Sequence, residues 1–162
     1  MKTAGWLAAS LALTLGCAQA QDNEEWKEND VPTAPAFNTD ALASFVVSAN
    51  SELNYGVDPK TVTVGSDGVI RYVMVARSRS GALNAAYEGL NCKRGEAKTY
   101  ARWAPGSPGQ WHMVSQPEWR SLFGNFAARA ALSLARNGFC DGPTPNGTPA
   151  NMVKALAQGP VR

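Results

Sequence analysis

Between Thr61 and Val114 the chain repeats one arrangement: a short run of β-branched, aromatic and other apolar residues, then a turn too brief to hold a crossover. Parallel strands need a connection of roughly a dozen residues or more, so runs joined this closely are confined to antiparallel pairing. Thr61-Val62-Thr63-Val64 alternates with period two, and Asp67-Gly68 follows, a pair suited to the positive φ of a tight hairpin turn. Val69 to Ala76 is apolar on both faces, the pattern of a strand inside a sheet with cover on each side. Ser78-Arg79-Ser80-Gly81 is the next turn. Leu83 to Leu90 returns with Ala85 and Tyr87 on one face and Ala86 and Leu90 on the other. Lys93-Arg94-Gly95-Glu96 turns again, Ala97 to Trp103 makes a further strand, and Trp111 to Val114 follows the Pro105–Gly109 loop as a short edge strand. Upstream, the β-branched and aromatic end of Asp40–Val47 favours another strand over a helix.

After Val114 the period changes. Ser115 stands three residues before Glu118, the spacing of a capping box, and Pro117 is tolerated in a first helical turn. Trp119, Leu122, Phe123, Phe126, Ala130 and Leu134 recur at helical spacing, which predicts one long amphipathic helix over Pro117–Asn137. Asn137-Gly138 supplies its left-handed stop, and Phe139 is placed to fold back on the last turn. A short second helix is expected near Ala150–Ala157. The expected fold class is α+β: an antiparallel sheet of about five strands packed by the long C-terminal helix.

The front end sets the compartment. Lys2 is followed by an apolar run from Ala4 to Leu15 and then by Ala18-Gln19-Ala20, a small-x-small site ahead of Gln21. This is the order of a secretory signal peptide, and the run is too short to span a membrane. The expected organisation is a signal peptide over 1–20, an acidic, proline-containing extended lead-in over 21–39, and a single domain over 40–160. The lead-in is expected to stay outside the core, with Trp26 as an exception that docks onto the domain. Cleavage after Ala20 removes Cys17 and leaves Cys92 and Cys140, an even pair that in an exported domain reads as one disulfide. Two free thiols or part of a metal site are the alternatives. Cys17 itself, after Thr14-Leu15-Gly16, loosely resembles a lipidation signal, and acylation there would hold the protein at a membrane surface.

Positive charge gathers at Arg71, Arg77, Arg79, Lys93, Arg94, Lys98 and Arg102, but neither its density nor its aromatic spacing is that of a nucleic-acid surface. The sequence holds no Gly-x-Ser-x-Gly elbow, phosphate loop, dinucleotide fingerprint, His-Glu-x-x-His or calcium loop. Two distant cysteines and one histidine fall short of a zinc site. No cofactor, metal or catalytic residue is therefore assigned. His112 lies on a short strand without a nucleophile beside it. Glu88 is the most informative carboxylate: it reads as a cross-strand ion pair with Arg71 or Arg77, the alternative being a buried acid with a raised pKa. Gly89 marks a bulge or a close backbone approach. Arg71, Arg77, Tyr87, Glu88, Trp103 and Trp111 form the candidate binding surface.

The run Asp67-Gly68-Val69-Ile70-Arg71-Tyr72, then Arg77-Ser78, Ser80-Gly81-Ala82 and Tyr87-Glu88-Gly89-Leu90-Asn91-Cys92, resembles the cryptic neisserial protein family. Tyr100-Ala101, Trp111, Trp119, Phe139-Cys140 and the Trp26-x-Glu28 lead-in are similar in order and spacing. The resemblance implies a bacterial, periplasmic protein of a kind often described as a lipoprotein, and it supplies no reaction. The expected function is a periplasmic binding or structural module without chemistry of its own, partnered by an envelope protein, a glycan or a lipid. The alternatives are a small envelope hydrolase using Glu88 or His112, and a lipid-anchored assembly factor for which Cys17 is the test.

Overall fold

The structure, a computed structural model, describes residues 25–106 and 108–158. The expected leader over 1–20, Cys17 and the start of the lead-in lie outside the described residues. The strands are β1 Ala43–Phe45, β2 Leu53–Val57, β3 Thr63–Val64, β4 Val69–Ser78, β5 Leu83–Asn91, β6 Glu96–Ala104, β7 Gln110–Met113 and β8 Arg120–Ser121. They form one sheet in the order β1-β2-β4-β5-β6-β7, with β3 beside β4 and β8 beside β6. Every pairing in it is antiparallel. The central meander matches the expectation from its turns; the count does not, because the sheet has eight strands rather than about five. Leu53-Asn54-Tyr55-Gly56-Val57 was missed for a physical reason. Asn and Gly are poor strand formers, and β2 is held instead by pairing with β1 and β4 on its two edges.

Both faces of the sheet are covered, as the two-sided apolar β4 requires. On one face Ile70, Tyr72 and Leu90 pack with Phe45, Val57, Leu134, Phe139, Met152 and Leu156. On the other, Val73, Val75, Ala85, Tyr87, Tyr100 and Ala101 are covered by Val31, Ala34, Phe37 and Leu42. Residues 25–39 form no helix or strand, and their partly buried apolar side chains pack against this core, so the segment lies across the sheet as a strap.

The long helix over Pro117–Asn137 does not form. Pro117 to Trp119 is irregular, Arg120–Ser121 is β8 against β6, and Gly124 takes φ 70°. Asn125 then caps a 3-10 turn over Phe126–Ala128 by accepting from the Ala127 N–H, and a single short helix, α1, runs Arg129–Leu134 before a π-turn over Ala135–Phe139. The helical spacing was real only in part. Leu122 and Leu134 are buried, but Phe126 is 81% exposed. The glycine at 124, followed by a capping Asn, is the break that the periodicity concealed. The stop was read correctly: Gly138 has φ 117°, and Phe139 is fully buried edge-on to Tyr72.

Beyond the stop, β9 Cys140–Asp141 pairs with β10 Thr144–Pro145, and α2 Pro149–Gln158 buries Met152 and Leu156. Cys92 and Cys140 form a disulfide across 48 residues, joining the end of β5 to the exit of the α1 layer. Closing a loop of that length stabilises the fold by about 4 kcal/mol in the chain-entropy account.

Candidate functional site

Glu88 occupies the middle of β5, where alternation turns it toward the α1 side of the sheet and turns Tyr87 and Gly89 toward the strap. The hairpin register places it opposite Tyr72, with Arg71 opposite Gly89 and Arg77 opposite Leu83. The expected ion pair with Arg71 or Arg77 is therefore absent, because both pair elsewhere along the strand. On its other side Glu88 faces Thr99, at a bulge that leaves Tyr100 as the extra residue of β6.

The Glu88 carboxylate accepts from the Tyr72 hydroxyl and from the Thr99 hydroxyl, each at 3.3 Å. Both bonds are long for O–H···O contacts. Burial raises the carboxyl pKa, and the two hydroxyls and the nearby Arg102 charge only partly offset it, leaving it at about 7. The Tyr72 hydroxyl is pushed well above its ordinary value, by burial first and then by the Glu88 charge beside it.

Glu88 is on the floor of a cavity of about 660 Å³ between the sheet and the α1 layer. This is a size that takes small molecules. Tyr55, Met74 and Ala76 line the β2–β4 side; Thr99 and Arg102 line the β6 side. Ala127, Ala128, Ala130 and Ala131 form a roof of small side chains. The walls come from the β1–β2 loop and from the segment around Pro117 and Glu118. Exposed Phe126 stands at the edge, with the Arg129 guanidinium 5.1 Å from its ring centre. Among the described residues no group of three or more His, Cys, Asp or Glu is arranged to hold a metal ion.

The remaining members of the expected surface are elsewhere. Arg71 is buried on the strap side, 2.7 Å from the Asp67 carboxylate. Burial lowers its pKa, but the Asp67 hydrogen bond and the surrounding acidic groups outweigh that and leave it raised. Asp67 shows the same balance from the acid side: burial raises its pKa, yet Arg71 and the backbone N–H groups of Asn29 and Val69 bring it below the usual value. Tyr87 is buried against Tyr100. Trp103 and Trp111 hold Phe37 of the strap between them, at 5.2 and 5.4 Å between ring centres, and the Trp111 indole donates to Pro35 O. Arg77 is exposed near the end of β4. The predicted surface therefore divides: Glu88 alone faces the cavity, and four of its companions anchor the strap. His112 is exposed on β7, opposite Arg102 in register.

What the sequence reading missed most is the partner of these anchors, Glu28. Its carboxylate is 2.7 Å from Lys98 Nζ and 3.7 Å from Arg71, and it accepts from the Tyr100 hydroxyl at 2.6 Å and from the Trp119 indole at 3.1 Å. The Trp26 indole donates to Asp67 O, and the Trp26 ring meets Trp119 edge-on at 5.7 Å. Gly89 explains itself here: a Cβ at this position would collide with the Tyr100 phenol, so the missing side chain is what lets that hydroxyl reach Glu28. Burial, followed by the hydrogen bond to Glu28 and then the Glu28 charge, raises the Tyr100 pKa.

Residues 21–157 match the sequence model of the CNP1-like family. Cryptic neisserial protein 1 of Neisseria gonorrhoeae is 28% identical over 142 residues, an alignment that covers 76% of this chain and 68% of that protein. No solved structure matches the chain significantly.

Proposed function

The chain belongs to the CNP1-like family, and on that premise we propose that it is an exported bacterial envelope protein that binds a small molecule in the Glu88 cavity. One observation carries the binding reading: a cavity of about 660 Å³ is built over a carboxyl that the fold itself leaves poorly solvated and weakly bonded. A group in that condition gains from a ligand that supplies the missing hydrogen bonds. Export is supported by the charge, apolar run and Ala18-Gln19-Ala20 site of the leader, and by a disulfide of the kind that persists in oxidising compartments.

The test is recovery of the protein from the periplasm followed by mass spectrometry of its organic extract. A bound species is expected, and it should be depleted when the exposed lining residue Ala127 is changed to Trp. An extract that does not differ between the two proteins would remove the binding reading. Intact mass of the same material checks the leader: a chain beginning at Gln21 supports cleavage after Ala20, and a diacylated Cys17 supports the lipid-anchored form.

A second reading, a small envelope hydrolase, is favoured by a single fact: a carboxyl with a pKa of about 7 inside a pocket is suited to donate a proton near neutral pH. It expects turnover of a glycan or lipid that Glu88→Gln abolishes while leaving the fold intact.

A further inference from the structure

The cavity has a direction, set by strand order. Its β2–β4 side carries Tyr55, Met74 and Ala76, with Val47 on the loop above and the alanine roof of α1 over them. Its β6 side carries Glu88, Thr99 and Arg102, with Gln116 and Arg120 on the adjoining wall. The sheet floor at one end is thus aliphatic and aromatic, with Ser48, Asn50, Ser51 and Asn84 around it, and the other end carries the charged side chains.

At the polar end Arg102 and Arg120 stand with Glu88 and Glu118. Arg120 stands 3.9 Å from Glu118, and Arg129 is stacked on Phe126. Arg102 is exposed, lines the cavity, and forms no salt bridge among the described residues. An apolar chain laid along β2–β4 would bring its head group toward Arg102 and beside the Glu88 carboxyl, which in its protonated form donates to an anionic head and so gains the missing hydrogen bond. A guanidinium recognises carboxylate and phosphate oxygens with paired N–H donors.

We infer that the cavity holds an amphipathic anion, an acyl or similar apolar chain ending in a carboxylate or phosphate, with the head on Arg102 and the chain against Tyr55, Met74 and the α1 alanines. The inference rests on the binding reading above and adds the chemical class of ligand.

The test titrates the folded, leader-free protein, in its oxidised form, with dodecanoate and with dodecyltrimethylammonium, both below their micelle concentrations. Calorimetry gives the affinity and amide NMR gives the location. Dodecanoate should perturb the amides of Met74, Glu88, Arg102 and Ala131. It should bind at least about tenfold more tightly than the cation, as loss of one charge-assisted contact implies. Arg102→Ala should weaken dodecanoate about tenfold and leave the thermal transition in place, because Arg102 is exposed. Arg102→Lys should recover part of the loss. Equal or tighter binding of the cation at the same amides would overturn the anionic class and leave the pocket reading standing. Unchanged affinity in Arg102→Ala would overturn the assignment of the head group. If neither amphiphile shifts the cavity amides, the inference falls, and the pocket reading is decided by the organic extract of the periplasmic protein.

Discussion

On the strap side of β4–β6, Glu28 is met by Lys98, Tyr100, Trp119 and Arg71. On the α1 side, Glu88 is met by two hydroxyls at 3.3 Å and opens onto a cavity. Both carboxylates are largely enclosed, and both stand close to arginine and tyrosine. The first is a closed arrangement in which the charged groups answer one another inside the molecule. The second is left open, and its carboxyl carries the cost of burial in its pKa. Residue type therefore does not separate a structural carboxylate from a binding one; the number of donors that reach it does.

Breaking the closed side should give the largest effect. Glu28→Ala leaves Lys98 without its anion and the Tyr100 hydroxyl and Trp119 indole without their acceptor, while Arg71 keeps Asp67; breaking a buried ion pair of this kind costs roughly 3–5 kcal/mol. Urea unfolding at pH 7 should show the loss, and a change under about 1 kcal/mol would mean that the strap is only loosely laid.

The open side should respond to pH. The Glu88 carboxyl holds its proton more tightly folded than unfolded, so its contribution to stability is complete below about 4.5 and is lost as pH rises through about 7. Glu88→Gln should leave stability at pH 4 nearly unchanged. At pH 8 it should raise stability by as much as about 3 kcal/mol, the free energy of that pKa difference. Unfolding midpoints measured across this range decide it, and a flat difference between the two proteins would put the carboxyl in contact with water.

The smallest of these effects sharpens the boundary between the faces. Gly89→Ala forces a Cβ against the Tyr100 phenol, an overpacking that costs about 2 kcal/mol. Its NMR perturbations should appear at Trp26, Trp119 and the Tyr100 neighbourhood while the amides of Arg102 and Ala131 stay in place. Equal perturbation of both sets would show that the faces are mechanically one unit.

Much of this comparison was readable before the structure. The Asp67-Gly68 and Ser78–Gly81 turns dictated the meander, but counting back from a turn over Ser78–Gly81 pairs Glu88 with Arg71; the loop instead closes between Ser78 and Ala82, and that shift of one residue brings Tyr72 opposite Glu88. The strap was harder to see. Residues 25–42 carry little regular pattern apart from β-compatible residues at their end, and their burial comes from partners far along the chain, so no local periodicity announces it. The missing long helix failed for the reverse reason. Leu122, Ala130 and Leu134 do face one core, but a strand, a 3-10 turn and a short helix bring them there in succession.

The bond from Trp119 to Glu28 spans 91 residues. A ribosome makes Glu28 early and Trp119 late, so the strap waits without its last anchor for most of synthesis. Contacts of such long range are slow to close, and the finished fold is withheld until the last third of the polypeptide has emerged. A chain assembled in that order completes the enclosure of Glu28 only after Trp119 has emerged.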